Sequence, residues 1–332
     1  MKFTGTYTAL ITPFKRGRVD ENAFKNLIKE QIRAGVDGIV PTGTTGESPT
    51  LEFEEHIRVI EIAVQMSKGK IKVIAGTGAN STSEAIELTK AAETVGADGS
   101  LLVAPYYNKP SQEGLFLHFK KIAKSTKLPL VLYSIPGRCN ISIEIDTVSR
   151  LVKACPNIVG IKEAGGDADR VSQLRYSLGS KFGILSGDDS LTLPFMAVGA
   201  EGVISVASNI IPKQISNMVN LYSTGKSSSA LKIHQKYYSI FKDLFIETNP
   251  VPIKLVCSLL DKCSEEYRLP LFKMSSENFS YKGPKTFKNV KPINQLIIDK
   301  DYLNYKKRSS KKSKDGTKHY DSKNVNVEFG EF

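Results

Sequence analysis

The regular alternation of short apolar runs with longer amphipathic segments restricts the fold of this sequence more than any other feature. Runs typical of buried strands fall at residues 6–12, 39–40, 72–75, 100–103, 130–133, 158–162, 183–186 and 202–205. Each is followed by apolar residues at helical spacing, over residues 21–34, 52–67, 82–95, 112–125, 143–153, 168–177, 191–198 and 212–223. Strands that are always followed by helices indicate a parallel sheet with helical crossovers.

Eight strand–helix units in about 225 residues predict an α/β protein with (β/α)8 architecture, the TIM barrel, whose usual length is about 250 residues. The competing arrangement is a doubly wound open sheet, which usually has fewer units and a glycine fingerprint after its first strand. The nearest match, Gly76-Thr-Gly78-Ala-Asn-Ser81, follows the third strand and lacks the last glycine. We interpret it as an ordinary strand-to-helix turn.

The alternation stops after residue 225, and we divide the chain into three parts. Residues 1–225 form the predicted barrel. A small helical region is predicted over residues 226–282, with helices at 230–247 and 251–263 that meet at Asn249-Pro250. Residues 283–332 form a basic, low-complexity tail without apolar periodicity, where we expect disorder.

The net charge of +12 would suit a nucleic-acid-binding protein, but its distribution indicates otherwise. The tail holds 12 Lys and Arg against 6 Asp and Glu, which is half of the excess. The remaining +6 is ordinary for a soluble enzyme, so we expect no nucleic-acid partner. No apolar run approaches the roughly 18 residues that cross a membrane, and no signal peptide is recognisable at the N-terminus.

The cysteines and histidines do not form a metal-binding pattern. The cysteines Cys139, Cys155, Cys257 and Cys263 contain no CxxC pair, and the four histidines are scattered. We therefore expect reduced thiols in a cytoplasmic protein, with neither a metal nor a cofactor.

A lysine ends the apolar run of the sixth strand. Residues 158–161 (IVGI) carry no charge, which is typical of a strand buried on both faces, and Lys162 follows directly. Apolar surroundings disfavour the ammonium form, so the pKa of the amine falls and the amine can attack a carbonyl group. The alternative is a structural lysine that reaches solvent at the edge of the sheet. Taken alone, the run favours this alternative.

Polar and glycine-rich loops follow several other strands, and in a barrel the C-terminal strand ends form the face where active sites are built. Residues 43–47 (GTTGE) combine backbone N–H groups with two hydroxyls, which suits a carboxylate or a phosphate. The loops after the fourth and fifth strands supply Tyr107, Tyr133 and Arg138. Gly187 follows the seventh strand.

Each of these residues also has a structural interpretation. Residues 43–47 alone would suit a plain turn, and one of Tyr106 and Tyr107 is expected to pack in the core. Arg138 would suit a surface ion pair, and we interpret Asp188-Asp189 as a helix N-cap. Taken together, however, an amine nucleophile, tyrosines that transfer protons and an arginine suited to a carboxylate indicate Schiff-base chemistry on a small keto acid.

Five short motifs occur in a fixed order along the chain. They are Gly43-Thr-Thr-Gly-Glu47, Tyr106-Tyr-Asn108, Tyr133-x-x-Pro136-x-Arg138, Ile161-Lys162-Glu163 and Ser186-Gly-Asp-Asp189. The ordered set resembles the dihydrodipicolinate synthase family, pyruvate-dependent class I aldolases, over roughly residues 3–273. The resemblance implies a homotetrameric lyase that condenses pyruvate with L-aspartate 4-semialdehyde to 4-hydroxy-tetrahydrodipicolinate, the first committed step of lysine and diaminopimelate biosynthesis.

The resemblance also implies roles for individual residues. Lys162 would form the imine with pyruvate, and Tyr133 would act as general acid and base. Thr44 and Tyr107 would complete a proton relay, with Tyr107 reaching in from a neighbouring subunit. The implied substrate-binding residues are Thr45 for the pyruvate carboxylate, the backbone of Gly187 and Ile204, and Arg138 for the semialdehyde carboxylate.

The chain departs from the family pattern in two places. Ser134 stands where the family usually has Asn, and Cys139-Asn140 stand where it usually has Thr-Gly, on either side of Arg138. Some bacterial members bind lysine as a feedback inhibitor at a tetramer interface, and Pro49 and Phe53 do not match that site. The residues that do match this allosteric site are Ser48, His56, Asn80, Glu84 and Tyr106.

Two other functions remain as alternatives. Sister aldolases, such as N-acetylneuraminate lyase or keto-deoxy-sugar-acid aldolases, share the lysine and the Tyr-x-x-Pro turn. Arg138 favours the synthase, because a sugar-acid pocket would need hydroxyl-binding groups at that position. The remote alternative is a non-catalytic barrel whose basic tail serves as a binding module. The joint presence of Lys162, Tyr133, Thr44 and Tyr107 argues against it.

Overall fold

The strands of this protein close on themselves. The structure, a computed structural model, describes residues 2–279, and within them eight parallel strands form a closed barrel. A two-stranded hairpin, β2 (Phe14–Lys15) and β3 (Arg18–Val19), stands outside it. The barrel strands are β1 (Gly5–Ala9), β4 (Gly38–Val40), β5 (Lys72–Gly76), β6 (Gly99–Val103), β7 (Leu130–Ser134), β8 (Ile158–Glu163), β9 (Gly183–Ser186) and β10 (Gly202–Ser205). Each pairs with its neighbours in chain order, and β10 pairs with β1, so the (β/α)8 prediction is confirmed.

Helices follow the strands, and all eight predicted helices are present with bounds within two residues of the prediction. A short additional helix, α5, follows β7. The helices up to residue 223 are α1 (Glu21–Ala34), α2 (Phe53–Ser67), α3 (Thr82–Thr94), α4 (Gln112–Ala123), α5 (Pro136–Cys139), α6 (Ile145–Ala154), α7 (Ala168–Leu178), α8 (Thr192–Ala197) and α9 (Pro212–Ser223).

The bounds of α1 show how closely the local sequence sets a helix. The Asp20 carboxylate accepts a hydrogen bond from the Ala23 backbone N–H (3.0 Å), which caps the first turn. Phe24 and Ile28, four residues apart, are fully buried against the sheet. Gly35 adopts a left-handed conformation (φ 73°) and ends the helix, as glycine does most readily.

Two short elements were not predicted. The sequence predicts a strand up to residue 12, but the segment after Ala9 leaves the barrel. The hairpin that follows turns at Arg16-Gly17, and both residues have a positive φ. Its four paired residues are too few to show a periodic pattern. The second element is the single turn of α5, which begins at Pro136, where the sequence predicts only a loop.

A bulge in β8 determines which way its side chains point. Leu130 pairs with Ile158, but the next residue of β7, Val131, pairs with Gly160, so Val159 is an extra residue. Because side chains alternate along a strand, one extra residue reverses the faces of everything that follows. Lys162 consequently lies opposite Tyr133 and faces the barrel interior.

Three helices follow the barrel in the described part of the chain, and the first two share the apolar core of its helix layer. They are α10 (Ser227–Asp243), α11 (Val251–Leu259) and α12 (Ser276–Phe279). Phe241 and Val256 belong to the same buried cluster as the barrel helices. The predicted tail, residues 283–332, lies outside the described residues. Within residues 2–279 no helix is both long enough and apolar enough to cross a membrane.

The contact that closes the barrel leaves no room for a side chain. At Gly202 (φ 150°) an added Cβ would lie 1.9 Å from the Gly5 carbonyl oxygen. We expect Gly202→Ala to lower the free energy of unfolding by about 3 kcal/mol, because β1 and β10 must move apart. Urea unfolding monitored by circular dichroism measures this loss.

Gly69→Ala is the matched control, since Gly69 also has a positive φ (72°) but an added Cβ would meet nothing within 4 Å. Its expected loss is about 1 kcal/mol, from backbone strain alone. Equal losses in the two variants would contradict the steric explanation.

Candidate active site

The C-terminal ends of β7 and β8 bring a lysine and a tyrosine together. Tyr133 and Lys162 are direct partners in the two strands, and both point into the barrel. The Lys162 Nζ atom lies 4.1 Å from the centroid of the Tyr133 ring. The pair lies at the end of the barrel where the loops converge, as predicted for an active site.

Burial changes the protonation of the Lys162 amine. Only 6% of the residue is exposed, and burial lowers the pKa of the amine to about 7. The buried Asp189 opposes this shift, whereas the positive charge of Arg138 reinforces it. A large share of Lys162 is therefore uncharged near neutral pH, as a nucleophilic amine requires.

Tyr133 keeps its proton under the same conditions. Burial raises the pKa of its hydroxyl to about 12, although Arg138 and an interaction with the Thr44 side chain both lower it in part. A protonated hydroxyl beside an uncharged amine gives the site one acid and one nucleophile. Thr44, at the start of the 3-10 turn Thr44–Gly46, lies within reach of that hydroxyl.

Space around the amine depends on a glycine. An added Cβ at Gly187 would lie 2.6 Å from the Ala164 Cβ and 3.1 Å from the Lys162 Cε. The Gly187 N–H donates to the Glu163 carbonyl oxygen (2.7 Å), which fixes this backbone beside Lys162. Ile204, on β10, is fully buried and lines the interior below.

Asn249, from the C-terminal region, connects two predicted substrate-binding residues. Its side-chain Nδ2 donates to the Thr45 Oγ1 (3.0 Å), and its backbone carbonyl oxygen accepts from the Arg138 Nη2 (2.9 Å). The residue is 95% buried, and its Oδ1 makes no hydrogen bond in the structure. The sequence had indicated Asn249-Pro250 only as a helix junction, and no local signal placed it beside residues more than 100 positions away.

Asp189 is a second residue whose contacts the sequence does not predict. It is buried, and its carboxylate accepts hydrogen bonds from the Ser205 hydroxyl and from the Val206 and Ala207 backbone N–H groups (3.0 Å each). Burial raises its pKa to about 6. Asp188 accepts from the N–H groups of Ser190 and Leu191 and holds the turn before α8. The interpretation of Asp188-Asp189 as a helix N-cap is therefore wrong: Leu191 is the N-cap residue of α8, Asp188 holds the turn before it, and Asp189 ties the ends of β9 and β10 together.

Tyr107 does not join the site within one chain. It is 89% exposed and adopts a positive φ (73°) on the loop after β6. Its hydroxyl therefore cannot be buried beside Tyr133 in the same chain. Tyr106, its neighbour, is half-buried and packs against the core, as predicted for one member of the pair.

The residues matched to an allosteric site lie around the ends of β4 and β5. The buried His56 donates from Nε2 to the Gly76 carbonyl oxygen (2.7 Å). The Ser48 backbone N–H donates to the Gly43 carbonyl oxygen (3.3 Å). The Asn80 Nδ2 donates to the Tyr106 carbonyl oxygen (3.3 Å). Glu84 is close enough to raise the pKa of Tyr106, although burial is the larger cause.

The departures from the family pattern are accommodated around Arg138. The buried Cys139 thiol donates to the Ala104 carbonyl oxygen (3.2 Å). Asn140 adopts the left-handed conformation (φ 55°) that ends α5, and asparagine tolerates this region better than most residues. The Ser134 hydroxyl accepts from the Ile143 N–H (3.4 Å).

A (β/α)8 barrel with a buried amine of lowered pKa at its C-terminal face has the arrangement of a Schiff-base-forming aldolase. The model of the Dihydrodipicolinate synthetase family matches residues 2–283. The chain belongs to this family.

Two similar proteins illustrate the match. The 4-hydroxy-tetrahydrodipicolinate synthase of Endomicrobium trichonymphae is 54% identical over 276 residues, which cover 83% of this chain and 94% of that protein. The structure of the 4-hydroxy-tetrahydrodipicolinate synthase from Methylacidiphilum fumariolicum SolV superposes with a TM-score of 0.83 at 56% identity. The match covers 84% of this chain and 93% of that one.

A third similar protein has a structure with a bound ligand. The structure of the enzyme from Cyanidioschyzon merolae with lysine bound superposes with a TM-score of 0.81 at 41% identity. The superposition covers 83% of this chain and 94% of that one.

The pKa of Lys162 makes its reactivity depend on pH. Because only the free amine reacts with acetic anhydride, trace labelling of Lys162 should rise with pH, pass its midpoint near pH 7 and level off above it. Peptide mass spectrometry measures the labelling, with exposed lysines such as Lys181 in the same digest as the reference for solvated amines. A rise that continued toward the ordinary lysine pKa of about 10.4 would contradict the prediction.

Proposed function

We propose that this protein condenses pyruvate with L-aspartate 4-semialdehyde to give 4-hydroxy-tetrahydrodipicolinate, the first committed step of lysine and diaminopimelate biosynthesis. The observation that carries the proposal is the buried Lys162 amine, 4.1 Å from the Tyr133 ring centroid, in a barrel of this family. Curated relatives with about half of their residues identical are named for this reaction.

The reaction begins at the Lys162 amine. It attacks the keto carbon of pyruvate, and the resulting carbinolamine loses water, to which Tyr133 donates a proton. An imine remains between Lys162 and the former keto carbon. Loss of a proton from the methyl group then gives an enamine. A buried, uncharged amine suits the first step, and a hydroxyl with a pKa of about 12 suits the second.

The second half of the reaction joins the substrates. The enamine carbon attacks the aldehyde carbon of the semialdehyde, and the new alkoxide takes up a proton. The amino group of the semialdehyde then attacks the imine carbon and displaces Lys162, which closes the ring and frees the amine. Tyr133 passes protons along Thr44 and Tyr107, so that each proton released in one step is available for another.

Two groups of residues hold the substrates. Thr45 and the backbone of its turn bind the pyruvate carboxylate, and the backbone of Gly187 and Ile204 lines the pocket beside the imine. Arg138 binds the carboxylate of the semialdehyde, because its planar guanidinium matches a carboxylate. The hydrogen bonds of Asn249 to Thr45 and to Arg138 support this arrangement, since they bring both groups to one side of the site.

We further propose that Tyr107 completes the relay of a neighbouring subunit within a homotetramer. Its exposure of 89% and its left-handed backbone (φ 73°) support this role, because a tyrosine held outward can enter a second chain. Sedimentation velocity measures the assembly state, and full activity in a preparation that sediments as a monomer would contradict this role.

The cytoplasm is the proposed location, supported by four free cysteines, three of which are buried.

Borohydride trapping tests the central step. With pyruvate present, reduction should attach the pyruvate carbon skeleton irreversibly to Lys162, which peptide mass spectrometry detects. The Lys162→Arg variant is the matched control and should give no adduct, because a guanidinium is not a nucleophile at neutral pH. An unmodified Lys162 in the wild-type protein would overturn the proposal.

A coupled assay separates the sister reactions. Turnover should be seen with pyruvate and aspartate 4-semialdehyde, and neither condensation of pyruvate with N-acetylmannosamine nor cleavage of keto-deoxy-sugar acids should be seen. Equal or faster turnover with a sugar-derived substrate would assign the protein to a sister aldolase instead.

We also propose feedback inhibition by lysine at the site formed by Ser48, His56, Asn80, Glu84 and Tyr106. The lysine-bound relative supports it. The initial rate should fall as lysine rises into the millimolar range, and Glu84→Gln should weaken the inhibition, because Glu84 supplies the negative charge for the bound cation. An initial rate that is unaffected by millimolar lysine would exclude this regulation.

A further inference from the structure

A fully buried ion pair lies behind the Thr44–Gly46 turn. Lys254 on α11 pairs with Glu47, the residue that ends this turn, and neither side chain is exposed. The Lys254 Nζ also lies 4.0 Å from the centroid of the Phe14 ring. The second Glu47 oxygen accepts from the Arg268 backbone N–H (3.2 Å). The carboxylate is thus held by two separate segments of the C-terminal region.

Glu47 is held in a backbone conformation that residues other than glycine rarely adopt. Its φ is 56°, in the left-handed region that a side chain with a Cβ rarely adopts. Its N–H donates to the Thr44 carbonyl oxygen (3.1 Å), which closes the turn that carries Thr44 and Thr45. A backbone in such a region persists only when its surroundings fix it, and here the ion pair does so.

The same helix meets the turn at a second point. α11 begins directly after Asn249-Pro250, and the Asn249 side chain donates to the Thr45 Oγ1 (3.0 Å). Lys254, about one helical turn further on, reaches Glu47. One end of α11 therefore contacts the turn at Thr45 and, two residues later, at Glu47.

A contribution to stability alone does not account for such a pair. Removing two charges from water costs about as much as their attraction returns, so apolar residues of similar size would usually stabilise the fold equally well. What an ion pair adds is a defined direction and distance between two segments. In this structure the segment so defined carries the hydroxyl that interacts with Tyr133.

We propose that the Glu47–Lys254 pair is a positioning device for the proposed reaction: it holds the Thr44–Gly46 turn so that the Thr44 hydroxyl stays beside Tyr133 and Thr45 stays beside Asn249. Neither Glu47 nor Lys254 touches substrate. Their effect passes through the turn to proton transfer and to binding of the pyruvate carboxylate. The inference rests on the proposed function, because turnover is its readout.

Three variants test this role. Glu47→Gln and Lys254→Met each remove one partner, and the double variant removes both charges without leaving either one unpaired. Because misplacement of about 1 Å can cost about 100-fold in rate, we expect each single variant to lower kcat about 100-fold and to raise the KM for pyruvate. Melting temperatures should fall in the single variants, which bury an uncompensated charge, and recover in the double variant.

The double variant separates positioning from stability. If the pair positions the turn, kcat should stay low in the double variant, about as low as in either single variant, although the melting temperature recovers. If the pair serves stability alone, kcat should return with the melting temperature, and this result would overturn the proposal. If a single variant does not fold, the double variant, which buries no unpaired charge, carries the test.

Lys262→Met is the matched control. Lys262 also comes from the C-terminal region and pairs with Glu30 on α1, away from the Thr44–Gly46 turn. Its kcat should stay within about twofold of the wild type, because the lost pair is partly exposed and contacts no part of the site. If the wild type turns over and kcat is unchanged in all variants, the positioning role is overturned but the proposed function is not. A wild type that forms no imine would instead refute the proposed function.

Discussion

The removal of the Lys162 amine from water is the constraint on which the rest of the site depends. An ammonium ion inside a closed, apolar barrel is unfavourable, so burial lowers the pKa of the amine to about 7. The barrel supplies this environment because its strands leave no open edge. Asp189 limits the lowering of this pKa and is itself held by three donors, the last residue of β10 and the two residues that follow it.

The site is assembled from distant parts of the chain. Lys162 and Tyr133 come from adjacent strands, whereas Thr44 and Thr45 come from a turn that the C-terminal region holds from behind. The region after residue 225 therefore contributes to the site as well as to the core. Its helices close the far side of the loop that approaches the acid and the amine, and their core is continuous with that of the barrel layer.

Much of this arrangement could be predicted from sequence. The fold followed from the alternation of strands and helices, since each unit has a strong local period, and the position of Lys162 followed from one apolar run. The contacts of Asn249 and Asp189 could not be predicted, because their partners belong to other segments of the chain and no local pattern encodes those contacts. The hairpin at Phe14 was too short for a period, and the exposure of Tyr107 becomes visible only once its loop is folded.

The bulge at Val159 determines which residue of β8 lies opposite Tyr133. Ile158 and Ile161 both pack in the helix-facing layer although they are three residues apart, because the bulge between them absorbs one residue. A strand of the same length without the bulge would place Val159 opposite Val131 and would turn the Lys162 amine toward the helix layer. Loss of Val159 itself would instead leave regular pairing, with Lys162 still opposite Tyr133. The bulge thus sets the register in which Lys162 and Tyr133 face each other inside the barrel, and β8 reaches that register with one residue more than β7 over the same span.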